Sequence, residues 1–143
     1  MIKIIKNKNK KFHRKQIMEL TKLAHYYEHD EYGHEIRIYN KRFMDIHNKY
    51  TYLVSYNSSI VGIFSVHKYK SGNYYLWRVF IKEEYRNLGI GIEIINWVKK
   101  VFNKGRILIE VNNVEQLKAF YGDLGFVEID KNSKYCYMVW NEV

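Results

Sequence analysis

The sequence predicts a mixed α/β fold, read as a single domain over residues 1–143. Two kinds of segment carry that reading: stretches with apolar residues at helical spacing, and β-rich runs bounded by Gly, Asn, Asp and Ser. Their order is β-α-α-β-β-β-α-β-α-β-β, and no repeat or linker interrupts it. At 143 residues the chain can bury a core without disulfide or metal staples. An aromatic content of 17% excludes low-complexity and disordered classes.

Residues 2–6, IKIIK, read as a short strand. The segment HRKQIMELTKLAHYYEH then sets Ile17, Leu20, Ala24 and Tyr27 at helical spacing, and Gly33 ends the helix. A weaker second helix is expected over 38–48, with Phe43, Ile46 and His47 on one side. TYLVSYN and IVGIFSVHKYK form a hairpin about Asn57-Ser58-Ser59, and Ser71-Gly72-Asn73 turns the chain into a third strand, YYLWRVFI.

After a glycine-bearing turn, Ile94, Val98, Val101 and Phe102 mark an amphipathic helix that Gly105 is placed to end. RILIEV is nearly all apolar, which predicts a strand buried on both faces. A helix over 114–124 follows, striped by Leu117, Phe120, Tyr121 and Leu124 and closed by Gly125. FVEI and KYCYMVW end the chain as two strands around Asp130-Lys131-Asn132-Ser133. There is no proline, so every turn depends on Gly, Asn, Asp or Ser.

No apolar run approaches the roughly 18 residues of a membrane span, and the N-terminus has no apolar stretch of a secretory signal. The single cysteine, Cys136, excludes an internal disulfide and suits a reducing compartment, so a cytoplasmic protein without a membrane partner is expected. The net charge of +9 is local. Seven of the 24 bases (Lys3, Lys6, Lys8, Lys10, Lys11, Arg14 and Lys15) lie in residues 1–15 without an acid, leaving 17 bases against 15 acids elsewhere. That patch is either a solvated helix start or a contact for an anionic partner such as nucleic acid.

The turn EYRNLGIGI places two glycines between a strand and a helix, where backbone N–H groups and the helix dipole favour an anion. A dinucleotide fingerprint needs a third glycine where Ile94 stands, and a P-loop needs Lys-Ser/Thr where Ile92-Glu93 stand. What remains is Arg-x-x-Gly-x-Gly, here Arg86-Asn87-Leu88-Gly89-Ile90-Gly91. This block, with AFYGDLGF over 119–126 and the order of elements along the chain, resembles the GNAT N-acetyltransferase superfamily.

The resemblance implies a mostly antiparallel, six- to seven-stranded sheet with splayed central strands, flanked by about four helices. It also implies acetyl-CoA as cosubstrate. The backbone of Val79, Phe80 and Ile81 would pair with the pantetheine arm and orient the acetyl carbonyl, whose developing charge fixed dipoles could stabilise. Asn87, Leu88, Gly89, Ile90 and Gly91 would cradle the pyrophosphate, with Arg86 at the entrance and Asn113 as a further CoA contact. The 3′-phosphate would meet Arg78 or the N-terminal lysines. Tyr121 matches the family's general acid for the departing thiolate; a thiol near pKa 8.5 and a phenol near 10 differ by about 1.5 units. For the general base Glu110 is the first candidate, followed by His34, Glu35 and Glu28.

In the family, the segment joining the first two helices borders the acceptor. Here it is HYYEHDEYGHEIRIY, whose Tyr27, Glu28, Glu31 and His34 make an acidic, aromatic rim suited to a cationic amine. The leading expectation is direct acetyl transfer to the primary amine of a small molecule, by a monomer or homodimer, with Cys136 a core residue. The alternatives are a macromolecular acceptor reached through the basic N-terminus, or a degenerate acyl-CoA-binding module. His25-Tyr26-Tyr27-Glu28-His29 matches the zinc pattern H-x-x-E-H, but the short chain lacks a protease's further context, so no metal is expected.

Overall fold

The structure, a computed structural model, describes residues 2–8, 10–31 and 51–141. Its elements are β1 (Ile2–Lys6), α1 (Lys11–Glu31), β2 (Thr51–Tyr56), β3 (Ser59–Lys68), β4 (Tyr74–Ile81), α2 (Ile90–Val101), β5 (Ile107–Asn112), α3 (Glu115–Asp123), β6 (Val127–Lys131) and β7 (Tyr135–Trp140). A 3₁₀ turn, Glu83–Tyr85, lies between β4 and α2. Among the described residues the sheet has seven strands, in the order β1-β2-β3-β4-β5-β7-β6. The helix expected over 38–48 lies outside the described residues.

By contact density the chain divides into two compact units: Met1–Ser65 with Arg78–Leu88, and Val66–Trp77 with Gly89–Val143. In the first unit β1 and β2 pair antiparallel, as do β2 and β3. Asn57 and Ser58, at φ of 49° and 68°, make the tight left-handed turn whose twist suits a two-residue hairpin. The core joins Ile17 and Leu20 of α1 to Leu53, Ile63 and Phe80. Its buried polar groups are satisfied: Thr21 Oγ1 donates to the Ile17 carbonyl at 2.6 Å, and Thr51 and Ser65 share a hydroxyl hydrogen bond of 3.1 Å.

In the second unit β4 and β5 begin side by side and parallel, at Tyr74↔Ile107, Tyr75↔Leu108 and Leu76↔Ile109. β7 pairs antiparallel with both β5 and β6. Ile90, Ile94, Ile95 and Val98 form the buried face of α2.

Three expectations are corrected here. Val101 is 48% exposed. The chain leaves helical geometry at Phe102 (φ −110°, ψ 51°), whose larger ring packs edge-on against Tyr74 and Trp97 and fills that place. Gly105 is not the helix terminator, since α2 ends at Val101; a Cβ there would collide with the carbonyl of Gly72, so its glycine serves close approach of two turns. β5 alternates rather than being buried on both faces: Ile107 and Ile109 are buried, Glu110 is exposed.

Candidate active site

In the first unit the end of β4 is fixed from two directions. β3 carries an irregularity where Val54 pairs with Gly62 and Ser55 with Ile60, so Val61 falls out of register. The Val61 carbonyl then accepts the Lys82 N–H at 2.8 Å. Beside it, a Cβ on Gly62 would lie 2.7 Å from the Phe80 carbonyl oxygen, so only glycine admits this approach. Sequence reasoning passed over Gly62, although a glycine inside a strand is the usual sign of a neighbouring backbone.

Arg86 supplies the second tie. Its Nε donates to the Ile81 carbonyl at 2.9 Å, and its guanidinium sits 5.5 Å from the centre of the Phe80 ring. The residue expected at the entrance of a phosphate turn thus also braces that turn against the strand before it.

The turn itself reaches α2 through two left-handed residues, Asn87 (φ 64°) and Gly89 (φ 79°). Gly89 is the cap residue of α2, and as a glycine it makes no side-chain cap bond to the helix's first turn. A Cβ on Gly89 would meet nothing within 4 Å, so glycine is required there by conformation and not by space. A helix start of this kind presents its first N–H groups at the positive end of the helix dipole.

The second unit holds the other candidates. Tyr121 lies on α3, 8% exposed, with the rings of Phe120 and Phe126 edge-on at 5.0 and 5.6 Å. Its carbonyl accepts the N–H groups of Leu124 and Phe126, and Gly125 (φ 94°) makes the reversal that brings Phe126 back. Burial pushes the phenol up to about 12.

Glu110 is exposed on β5, opposite Tyr137 of β7. Asn113 is committed locally: its amide N–H donates to the Lys134 carbonyl, and its side-chain Nδ2 donates to the Asn132 carbonyl, both at 2.8 Å. Cys136 is buried, as expected of a core residue, and its thiol donates to Glu128 Oε1 at 3.2 Å. Burial and the Glu128 carboxylate push the thiol up to about 11, so it is a poor nucleophile.

Val79, Phe80, Ile81 and Arg86 therefore fall in the first unit, and Glu110, Asn113 and Tyr121 in the second. On the acceptor side, Tyr27, Glu28 and Glu31 fall in the last turns of α1, with side chains outside the described part, and His34 lies outside the described residues. Among the described residues no group of three or more His, Cys, Asp or Glu side chains could hold a metal ion, and no helix is long and apolar enough to cross a membrane.

A family profile described as an acetyltransferase (GNAT) domain matches residues 30–136. A GNAT-family acetyltransferase from Staphylococcus aureus Mu50 has the same fold, with a TM-score of 0.75, 19% identity and 98% of each chain covered. The PaiA N-acetyltransferase of Thermoplasma acidophilum, crystallised in complex with coenzyme A, gives 0.73 at 16% identity over 99% of each chain. A GNAT-family acetyltransferase from Elizabethkingia anophelis with acetyl-CoA bound gives 0.55 at 18% identity, over 63% of this chain and 74% of that one. No curated protein matches the sequence.

Proposed function

This chain belongs to the GNAT acetyltransferase family, and on that premise we propose that it moves the acetyl group of acetyl-CoA to the primary amine of a small molecule by direct attack. The observation that carries the reading is the Arg86–Gly91 turn, with two left-handed residues leading into an α2 that no side chain caps. Its amides would receive the pyrophosphate, and the backbone of Val79, Phe80 and Ile81 would align the pantetheine arm.

Tyr121 would serve the leaving sulfur. With its phenol near 12 it is neutral at every working pH and always available as a donor. Complete transfer to a thiolate of pKa near 8.5 would be uphill by about 1.4 kcal/mol per unit of difference. A hydrogen bond that strengthens as the C–S bond breaks fits that gap better than early proton release. The new C–N bond forms as the amine attacks the thioester carbonyl. Glu110, or a water it orients, would take the amine's proton. Tyr27, Glu28, Glu31 and His34 would draw the cationic acceptor in, and their composition favours a small amine.

A thiol-release assay with acetyl-CoA and a panel of mono-, di- and polyamines tests the proposal. Release stimulated at least tenfold by one amine class is the expected result. CoA binding with no amine-dependent release would overturn it.

A further inference from the structure

Four exposed lysines of the first unit (Lys8, Lys10, Lys11 and Lys15) lie within four residues of one exposed aromatic residue, Phe12. On α1 the buried residues Ile17, Leu20 and Thr21 define the side facing the core. At 100° per residue, Lys11, Phe12 and Lys15 point the opposite way. Phe12 is 55% exposed and lies edge-on to the His13 ring at 6.0 Å.

The charge is also placed against local stability. A helix start favours Asp or Glu, yet the first turn of α1 contains no acid and holds Lys11 and Arg14. The first acid along the helix is Glu19. The lysines are held together because His13 Nδ1 accepts the Lys8 N–H at 3.1 Å, fastening the preceding loop to the helix. Burial, then Lys10 and Lys8, hold His13 below its ordinary pKa, which keeps that nitrogen an acceptor.

We propose that this face binds single-stranded nucleic acid, the lysines meeting phosphates and Phe12 stacking on an unpaired base. A ring more than half exposed among cations is wasted on a paired duplex, whose bases are already stacked, but is the usual platform for a single strand. An anionic membrane would need a broad apolar face, whereas α1 gives Ile17 and Leu20 to the core and sets Lys11 and Lys15 beside exposed Phe12. The inference does not rest on the identity of the acetyl acceptor.

Fluorescence anisotropy with a labelled 12-nucleotide oligouridine, titrated between 50 and 200 mM KCl, tests it. Four phosphate contacts give a log–log salt slope of about −3, and Lys8→Gln/Lys10→Gln/Lys11→Gln should bring it to about −1. Phe12→Ala should weaken binding by about five- to a hundredfold with the slope unchanged. Circular dichroism melts confirm that each variant is folded. No binding at 50 mM KCl would overturn the proposal, as would a slope indifferent to the lysines or tighter binding of duplex or of phosphatidylserine vesicles.

Discussion

Two strand-to-helix turns in this chain solve the same geometric problem in opposite ways. Between β4 and α2 the chain takes a long path, with a 3₁₀ turn and left-handed residues at Asn87 and Gly89. Between β5 and α3 it takes two residues, Asn113 and Val114, and Val114 is in plain extended conformation (φ −126°, ψ 132°). Neither helix has a side-chain cap. In the short turn, however, the polar groups are committed: Asn113 gives both its amide and its Nδ2 to the β6–β7 connection, and Val114 N–H bonds Asn112 at 2.7 Å. In the long turn Asn87 and Gly89 are left-handed, and Arg86 braces the loop from the strand side. The contrast lies in backbone conformation, and on it rests the proposal that the long turn, not the short one, receives the pyrophosphate. The short turn's task is different: it sets the start of the helix that carries Tyr121.

The largest expected effect breaks the second region at its one chemical group. Tyr121→Phe should lower kcat by about 10²- to 10⁴-fold with little change in KM for acetyl-CoA, since the ring and its packing remain. Steady-state kinetics with the active amine would measure both.

Gly89→Val strikes the first region. Forcing a β-branched residue to φ 79° costs about 1–2 kcal/mol or displaces the turn, and CoA affinity by calorimetry should fall about tenfold or more. The matching change in the short turn, Asn113→Ala, should cost about 1 kcal/mol of stability through the lost Asn132 bond. CoA affinity there should stay within about twofold; a larger loss would mark Asn113 as a CoA contact.

Tyr121 also gives stability a pH dependence. Its folded pKa of about 12 exceeds the unfolded value near 10, so the folded state holds the proton more tightly. That contribution is complete below about pH 10 and is lost as pH rises towards 12. Denaturant titrations from pH 8 to 11.5 should show the loss, at most about 1.4 kcal/mol per pH unit, and Tyr121→Phe should reduce it.

Much of this was legible in the sequence because period and turn chemistry act locally. IKIIK, TYLVSYN and YYLWRVFI needed only alternation and bounding polar residues, and Ile94 and Val98 announced a buried helix face. What escaped depends on partners distant in sequence. Val101 is on the right face but loses its place to Phe102. Gly105 answers to Gly72, more than thirty residues away, and Gly62 to the carbonyl of Phe80. The tie from Asn113 Nδ2 to the Asn132 carbonyl likewise joins residues far apart in the chain. The Arg86–Gly91 turn was readable as a turn because its six residues carry their own conformation. The acceptor rim is written as composition alone, and composition does not specify a pocket.

The most direct test of the central claim is a ¹⁵N–¹H titration of the backbone amides with CoA and, separately, with adenosine 3′,5′-bisphosphate. The amides of Asn87 through Gly91 should show the largest CoA-induced shifts, fading with the ligand that lacks the pyrophosphate linkage, while Asn113 and Val114 move little. Shifts concentrated at Asn113 and Val114, with the Arg86–Gly91 turn unmoved, would contradict the account.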